Sequence, residues 1–293
     1  MGHNQTMAAP IGIIGGSGLY AMEGLTAWED LEVATPFGSP SAPLRRGSLN
    51  GTPVVFLARH GHGHRLTPTE IPYRANLWAL KSLGVEQVVS VSAVGSLQER
   101  HKPGELRLVR QFIDRTKFRH DTFFGDGLVT HVGFGEPTCG ACTDLLQSCG
   151  RELGLPVEDG STYVCMEGPA FSTRAESLLH RSWGADLIGM TQVTEAKLAR
   201  EAELCFAVIA LVTDYDAWRE GEESVEASAV LEVMQANVQK AQRLLAAVVP
   251  RLAARERSCG CGRALATALF TAPDLVPRAT RERLALPIQR HGY

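Results

Sequence analysis

Apolar and polar positions along the chain follow two patterns, which together predict an α/β fold. Short runs rich in valine, isoleucine and leucine have the continuous apolar character of buried strands, at residues 11–14, 53–58, 88–94, 163–166 and 205–212. Other stretches repeat apolar residues every third or fourth position, as in the helix predicted at 73–83 and capped by Gly84. A longer helix is predicted from Ser224 to about Val249, because Pro250 cannot continue the helical hydrogen bonding.

Two carboxylates stand where the last apolar strand should end. Asp214 and Asp216 follow the run 205–212 at a spacing of two. In an extended backbone such residues share one face, so both acids can contact one small polar ligand. Ligands of α/β sheets commonly bind outside the carboxyl ends of strands. The alternative is a simple turn with solvated acids.

A glycine-rich loop follows the first strand, at residues 15–18 (GGSG). Backbone N–H groups of such a loop, together with the hydroxyl of Ser17, can bind a phosphate. Residues 16–21 also satisfy the dinucleotide pattern G-x-G-x-x-A, but no clear helix follows, and a turn comes at 35–38. An unliganded tight turn is the third interpretation.

Further anion-binding side chains are predicted after two other strands. Arg59 and His60 follow the run 53–58, and Ser92 lies near the end of the run 88–94. With Ser17, these donors come from three strand ends, which is how an α/β sheet assembles a site for a dianion. His60, His62 and His64 alternate as metal ligands might, but the glycines between them argue against a rigid metal site.

Three later segments add candidate ligand contacts. Thr191 can join the anion site and Met190 can offer an apolar surface to a sugar. Phe171 either stacks on a planar ring or forms a hydrophobic staple before a helix whose Ser/Thr cap precedes Glu176. The polar loop predicted at 111–138, which contains His131, is either a lid or a subunit contact.

Composition narrows the class of protein. The chain has 293 residues, 44% of them hydrophobic and 21% charged, which is ordinary for a soluble globular enzyme. A net charge of −3 argues against a nucleic-acid or anionic-membrane partner. The chain has neither a run of eighteen apolar residues nor an N-terminal secretory pattern, so we expect a cytoplasmic protein.

The seven cysteines give no metal site by spacing alone. Cys139 and Cys142 form a C-x-x-C, but no second such pair exists to complete a zinc site. The first five cysteines are expected to be reduced, small and buried. Cys259 and Cys261 are expected to form either a short-loop disulfide or two reactive thiols. We therefore predict no metal.

Taken together, the motifs resemble those of the trimeric nucleoside phosphorylases, and most closely the methylthioadenosine phosphorylase branch of that family. The matching segments run in the family's order over about residues 11–250, at 15–18 (GGSG), 57–61 (LARHG), 76–80 (NLWAL), 92–96 (SAVGS), 111–116 (QFIDRT), 167–169 (EGP), 172–176 (STRAE), 189–191 (GMT) and 213–216 (TDYD). The resemblance implies a single-domain, three-layer α/β/α fold with a mixed central β-sheet, assembled as a homotrimer. We assign residues 1–10 to a disordered N-terminus, 11–252 to this domain and 253–293 to a C-terminal packing arm.

The same resemblance implies roles for individual residues. Phosphate is expected at Ser17, Arg59, His60, Ser92, Ala93 and Thr191. Met190 is expected against the ribose, Phe171 against the base, and Asp214 and Asp216 on the purine. His131 is expected to reach a neighbouring subunit's site. Ala227 and Val230 match positions that line an apolar pocket for the 5′ substituent.

The implied activity is that of a pentosyltransferase in methionine and purine salvage. We expect phosphorolysis of S-methyl-5′-thioadenosine, with inorganic phosphate as co-substrate and with neither a cofactor nor a metal. A neutral Asp214 would donate to N7 of the purine, and an ionised Asp216 would accept from the 6-amino group. The alternatives are a phosphorylase for 6-oxopurine nucleosides or methylthioinosine, an NAD-dependent oxidoreductase, and a non-catalytic nucleoside-binding protein.

Overall fold

The computed structural model of the protein describes residues 9–16, 18, 19, 22–219 and 227–293, with the side chains of the last segment described from residue 232 onward. Its strands are β1 (Ile11–Gly15), β2 (Leu25–Leu31), β3 (Leu44–Leu49), β4 (Thr52–Ala58), β5 (Gln87–Ser96), β6 (Leu106–Arg115), β7 (Val157–Met166), β8 (Leu187–Gly189) and β9 (Cys205–Asp214). Its helices are α1 (Tyr73–Ser82), α2 (Gly140–Glu152), α3 (Arg174–Ser182), α4 (Gln192–Glu201), α5 (Ala227–Ala254), α6 (Arg278–Arg283) and α7 (Ala285–Ile288).

The strands form one mixed sheet in the order β2-β3-β4-β1-β5-β8-β7-β6-β9, and β5 also pairs with β9. The strands β5 to β9 therefore close on themselves at one end of the sheet. β1 runs parallel to β4 and β5, β5 runs parallel to β9, and β8 runs antiparallel to β5. This arrangement gives β5 three neighbours, which matters for the site described below.

Helices cover both faces of the sheet because successive side chains of each buried strand point in opposite directions. Along β9, Cys205, Ala207 and Ile209 belong to the core that contains α2 and α5. The intervening residues, such as Phe206 and Val208, belong to the core that contains α1 and α4. A strand buried on both faces reads as a continuous apolar run, as 205–212 does.

The predicted capping signals of two helices are present. At α3, the Thr173 side chain accepts from the backbone N–H of Glu176, and the Glu176 carboxylate accepts from the backbone N–H of Thr173. This is the reciprocal capping box that the Ser/Thr cap and Glu176 indicate. After α1, Gly84 adopts a left-handed conformation with φ of +81°, which glycine adopts at little cost.

The predicted end of α5 is wrong, because the helix continues through Pro250 to Ala254. Proline lacks the N–H that would bond to the carbonyl four residues earlier, at Ala246. In the structure, Nδ2 of Asn50 donates to that carbonyl at 3.3 Å. A side chain from the β3–β4 turn therefore supplies the hydrogen bond that the proline removes.

The predicted loop at 111–138 is wrong over its first five residues, which belong to β6. Residues 111–115 pair in register with 162–166 of β7. Strand pairing overrides the polar local sequence, because the neighbouring strand satisfies the backbone groups. Similarly, β2 occupies 25–31 where a dinucleotide fingerprint would need a helix.

Residues 253–293, the C-terminal arm, complete α5 and then pack on the core through Leu265, Leu284 and Ile288. The arm also contacts the loop that carries His131. The backbone N–H of His131 donates to the Ala268 carbonyl at 2.9 Å, and that of Phe270 donates to the Val129 carbonyl at 2.9 Å.

No described helix combines the length and the apolar character needed to cross a membrane.

Candidate active site

The two acids at the end of β9 lie against the backbone of β5. Asp214 pairs with Gly95 across the two strands. A Cβ atom on Gly95 would lie 3.0 Å from Oδ1 of Asp214 and 3.2 Å from Cβ of Asp216. Both acids can therefore approach the strand only because this residue has no side chain.

The carboxyl group of Asp214 is held in a fixed orientation. Its Oδ1 accepts from the backbone N–H of Asp216 at 2.8 Å, and its Oδ2 accepts from the Thr213 hydroxyl at 2.7 Å. These bonds fix the plane of the carboxyl group.

The side chain of Asp216 differs in that its Oδ2 is buried without a hydrogen-bond donor among the described residues. Its backbone has φ of +53°, a left-handed conformation that aspartate tolerates better than most residues. A buried acceptor without a donor costs about 1–3 kcal/mol, and such groups concentrate where a ligand completes them. Asp216 is thus arranged to accept a hydrogen bond from a bound molecule.

A crevice opens along the middle of β5, beside these acids. Residues 87–90 pair with β1 and residues 95 and 96 pair with β8, so residues 91–94 lie between the two partners on that side. Ser92 and Ala93 lie in this gap, and Ala93 is exposed although β5 is a central strand. Ser92 therefore lies within a strand, not at its end, and the change of neighbouring strand creates the opening.

Arg59 follows β4 and is buried next to the crevice, where its charge is already paired. Its Nε donates to Glu195 at 2.5 Å, its Nη2 to the Ser90 hydroxyl at 2.6 Å and its Nη1 to the Val91 carbonyl at 2.9 Å. Burial alone would lower the pKa of Arg59, but the Glu195 carboxylate raises it above the usual value. The expected open clamp for an anion is therefore a neutralised pair that supports β5.

His60 has an acceptor at Nε2, where the sequence suggests a donor. Its Nδ1 lies 2.8 Å from the carbonyl of Leu66, which can only accept, so Nδ1 carries the proton. Burial lowers the pKa of His60 to about 4, so the ring is neutral at pH 7 and Nε2 has a free lone pair. The ring also stacks on His64 at 4.1 Å. Among the described residues, these histidines are not part of a cluster with metal-binding geometry.

Thr191 and Met190 follow β8, close to the crevice. Thr191 is the N-cap of α4, but its buried hydroxyl makes no capping bond to the helix. The hydroxyl instead accepts a hydrogen bond from Nε2 of Gln192 at 3.4 Å. Met190 packs against Gly168, where a Cβ atom would lie 2.5 Å from its sulfur.

Two predicted site residues are exposed in the single chain. Phe171 is 84% exposed, so it does not form the hydrophobic staple considered above. His131 is exposed and contacts the ring of Phe270, with ring centroids 5.1 Å apart. Ser17 and the side chains of Ala227 and Val230 lie outside the described residues, although 227 and 230 belong to α5.

Glu195, which pairs with Arg59, and Glu167, which pairs with Arg119, are acids whose contacts the sequence does not predict. Glu167 accepts from the Thr69 hydroxyl, from Nε of Arg119 at 2.8 Å and from the backbone N–H of Lys117 at 2.6 Å. Although burial raises the pKa of Glu167, these bonds lower it to about 2. The available signal was a charged residue on an otherwise buried helix face for Glu195 and an acid at a strand end for Glu167.

Comparison with known proteins now decides the family. The model of the phosphorylase superfamily matches residues 10–250. The chain belongs to the phosphorylase superfamily. Among curated members, the S-methyl-5′-thioadenosine phosphorylase of Koribacter versatilis is 52% identical over 285 residues, covering 97% of each chain. That of Thermosynechococcus vestitus is 52% identical over 288 residues, covering 97% of this chain and all of the relative.

Solved structures of the superfamily agree with the fold. A methylthioadenosine phosphorylase from an Antarctic soil metagenomic library has a TM-score of 0.92 and 47% identity, over 95% of this chain and 98% of that chain. The Schistosoma mansoni methylthioadenosine phosphorylase, solved with adenine, has a TM-score of 0.79 and 34% identity, over 96% of this chain and 98% of that chain. The predicted resemblance and nucleoside phosphorylase fold are confirmed.

Proposed function

We propose that the protein catalyses phosphorolysis of S-methyl-5′-thioadenosine, giving adenine and 5-methylthioribose 1-phosphate. The observation that carries this proposal is the pair of acids, Asp214 and Asp216, held against Gly95 beside the crevice of β5. The names of the curated relatives, which align over nearly the whole chain, support the same activity.

In this reaction, a phosphate oxygen bonds to C1′ of the sugar while the bond from C1′ to N9 of the purine breaks. The electron pair of that bond leaves on the purine. A neutral Asp214 that donates to N7 stabilises this negative charge, and the fixed plane of its carboxyl group directs the proton. The phosphate in turn stabilises the positive charge that develops on the sugar.

We assign the phosphate to the crevice at residues 91–94. The proposed donors are the hydroxyls of Ser92 and Thr191 and the backbone N–H of Ala93, and the resemblance adds Ser17. Arg59 supports the crevice through Ser90 and Val91 while its charge is paired with Glu195. Nε2 of His60 would accept a hydrogen bond from a phosphate hydroxyl.

We infer that the enzyme prefers 6-amino to 6-oxo purines because of Asp216. Its buried Oδ2 has no donor among the described residues, and an amino group would supply one. A 6-oxo group would place a second acceptor against it. Because a buried polar group is then left without its partner, we expect kcat/KM for the 6-oxo substrate to be lower by a factor of roughly 10²–10⁵. By resemblance, Met190 lies against the ribose, Phe171 against the base, and Ala227 and Val230 beside the 5′ methylthio group.

We also propose that the enzyme is a cytoplasmic homotrimer without an organic cofactor, a nucleic-acid partner or a membrane partner. The exposed position of His131 supports the trimer, because an exposed side chain can enter a neighbouring subunit's site. None of the seven cysteines forms a disulfide, as is usual in a reducing compartment.

The deciding experiment measures release of free base from methylthioadenosine, adenosine and inosine, each with and without inorganic phosphate. We expect release only with phosphate, fastest from methylthioadenosine, and at least about 10²-fold slower from inosine. Release without phosphate would contradict phosphorolysis. Equal turnover of adenosine and inosine would contradict the role of Asp216 but leave phosphorolysis intact.

A further inference from the structure

Four cysteines from distant parts of the chain meet at the edge of the sheet remote from the acids. The sulfur atoms of Cys139, Cys205, Cys259 and Cys261 all lie within 4.8 Å of one another. Cys259 is 3.3 Å from Cys205 and 3.7 Å from Cys139, sulfur to sulfur. Three of the four are buried and none forms a disulfide, so of the two alternatives for Cys259 and Cys261 the short-loop disulfide is not formed.

The fold explains why spacing alone could not predict this cluster. Cys139 is the N-cap of α2, Cys205 is the first residue of β9, and Cys259 and Cys261 lie in the C-terminal arm. Cys139 of the C-x-x-C belongs to this group of four, whereas Cys142 lies beside the group, with its sulfur 3.6 Å from the Gln87 side chain. The other three ligands come from Cys205 of β9 and from Cys259 and Cys261 of the arm.

The distances between the sulfur atoms fit four zinc ligands better than a disulfide. Four thiolates around a tetrahedral zinc ion, each about 2.3 Å from the metal, have sulfurs roughly 3.8 Å apart. A disulfide has an S–S bond of about 2.05 Å. The observed distances of 3.3 and 3.7 Å are close to the first value and far from the second.

The surroundings favour thiolates at this position. Nε of Arg257 donates to the sulfur of Cys205 at 3.3 Å, and Nη2 of Arg255 lies 3.9 Å from the same sulfur. The N-terminus of α2 also favours a thiolate at Cys139.

We propose that Cys139, Cys205, Cys259 and Cys261 bind one structural zinc ion. Each thiol that is still protonated releases its proton to solvent as its Zn–S bond forms. The resulting tetrathiolate centre has a net charge of −2, which Arg255 and Arg257 balance. All four positions are filled by protein ligands, so the ion is structural and fixes the C-terminal arm to α2 and β9.

The test begins with metal analysis of the full-length protein purified under reducing conditions without chelator. We expect about one zinc per chain, released together with four titratable thiols when a mercurial reagent is added. Exchange of zinc for cobalt(II) should give the visible spectrum of tetrahedral thiolate cobalt. Metal-free protein, a disulfide among these cysteines by mass analysis, or iron in place of zinc would each overturn the proposal.

Variants then locate the ion. Cys259→Ser and Cys205→Ser should each lose most of the zinc and unfold at a lower temperature. Cys149→Ser is the matched control, because Cys149 is buried on α2 outside the cluster, and it should keep about one zinc. If the serine variants fail to fold, Cys259→His should fold and retain zinc with an altered cobalt spectrum. Zinc retained at full occupancy in folded Cys259→Ser would overturn the assignment.

Discussion

The two ends of β9 have opposite characters although they belong to one ten-residue strand. At its start, Cys205 is buried among sulfurs that contact one another. At its end, Asp214 lies beside the crevice of β5. Oδ2 of the neighbouring Asp216 is buried without a hydrogen-bond donor among the described residues. The two ends are roughly 30 Å apart at about 3.3 Å per residue.

The contrast between the two ends of β9 distinguishes residues that stabilise the fold from residues that are arranged to bind a ligand. Polar groups held in strained conformations or without partners cost stability, and they persist where the surrounding structure is rigid enough to hold them. The apolar run between Cys205 and Asp214, buried on both faces, provides that rigidity. Changes at the two ends should therefore affect different properties of the protein.

The largest effect is expected at Asp214. Asp214→Asn keeps the shape of the side chain but cannot supply the carboxyl proton to N7. We expect kcat with methylthioadenosine to fall by about 10²–10⁴, while zinc content and thermal unfolding stay unchanged. Asp274→Asn, in the exposed part of the arm, is the control and should keep full activity. An unchanged kcat in Asp214→Asn would remove Asp214 from the mechanism.

Asp216→Asn should change which base is accepted more than how fast it is released. An amide can donate to a 6-oxo group, so we expect the ratio of kcat/KM for adenosine over inosine to fall by roughly 10². The ratio is measured with both substrates at saturating phosphate. A variant that loses both activities equally would show that Asp216 acts on something other than the 6-position.

Gly95→Ala tests the close approach of the acids to β5. The new Cβ atom would lie 3.0 Å from Oδ1 of Asp214, so the carboxyl group must move by a few tenths of an ångström. We expect kcat/KM to fall by about tenfold to 10², with little change in the unfolding temperature. Gly133→Ala is the control, because a Cβ atom there has no neighbour within 4 Å. Equal activity of the two variants would contradict this geometry.

Glu167→Gln should give the smallest effect on activity and a pH-dependent loss of stability. The folded pKa of Glu167 is about 2, below its ordinary value of 4.5, so its bonds stabilise the fold above pH 4.5 and the contribution is lost as the pH falls towards 2. We expect a cost of roughly 1.5–3 kcal/mol at pH 7 that shrinks below pH 4.5. The measurement is denaturant unfolding at a series of pH values.

The control for this series is Glu99→Gln, an exposed acid, which should not change the pH dependence. A loss of stability in Glu167→Gln that is constant with pH would show that the charge of Glu167 does not contribute through these bonds.

Five strands, β1, β4, β5, β7 and β9, are predicted because each contains a continuous apolar run, whereas β2, β3, β6 and β8 are not predicted. The apolar run 205–212 predicts a buried strand, and the spacing of the two acids that follow it predicts that they share a face. The Arg59–Glu195 pair, the acceptor role of His60 and the cysteine cluster depend on contacts between residues distant in the chain. The end of α5 was missed for the same reason, because Asn50 lies 196 positions from Ala246.

The pairing of Arg59 with Glu195 has a consequence for anion recognition. Because Glu195 neutralises that cation, the crevice offers mostly uncharged donors. We therefore expect the affinity for the anion to depend less on ionic strength than on the protonation state of the anion. If His60 contacts the phosphate as proposed, its imidazole lone pair favours an oxyanion that bears a hydrogen. Sulfate has none at neutral pH, whereas phosphate does, which makes the two distinguishable despite their equal size.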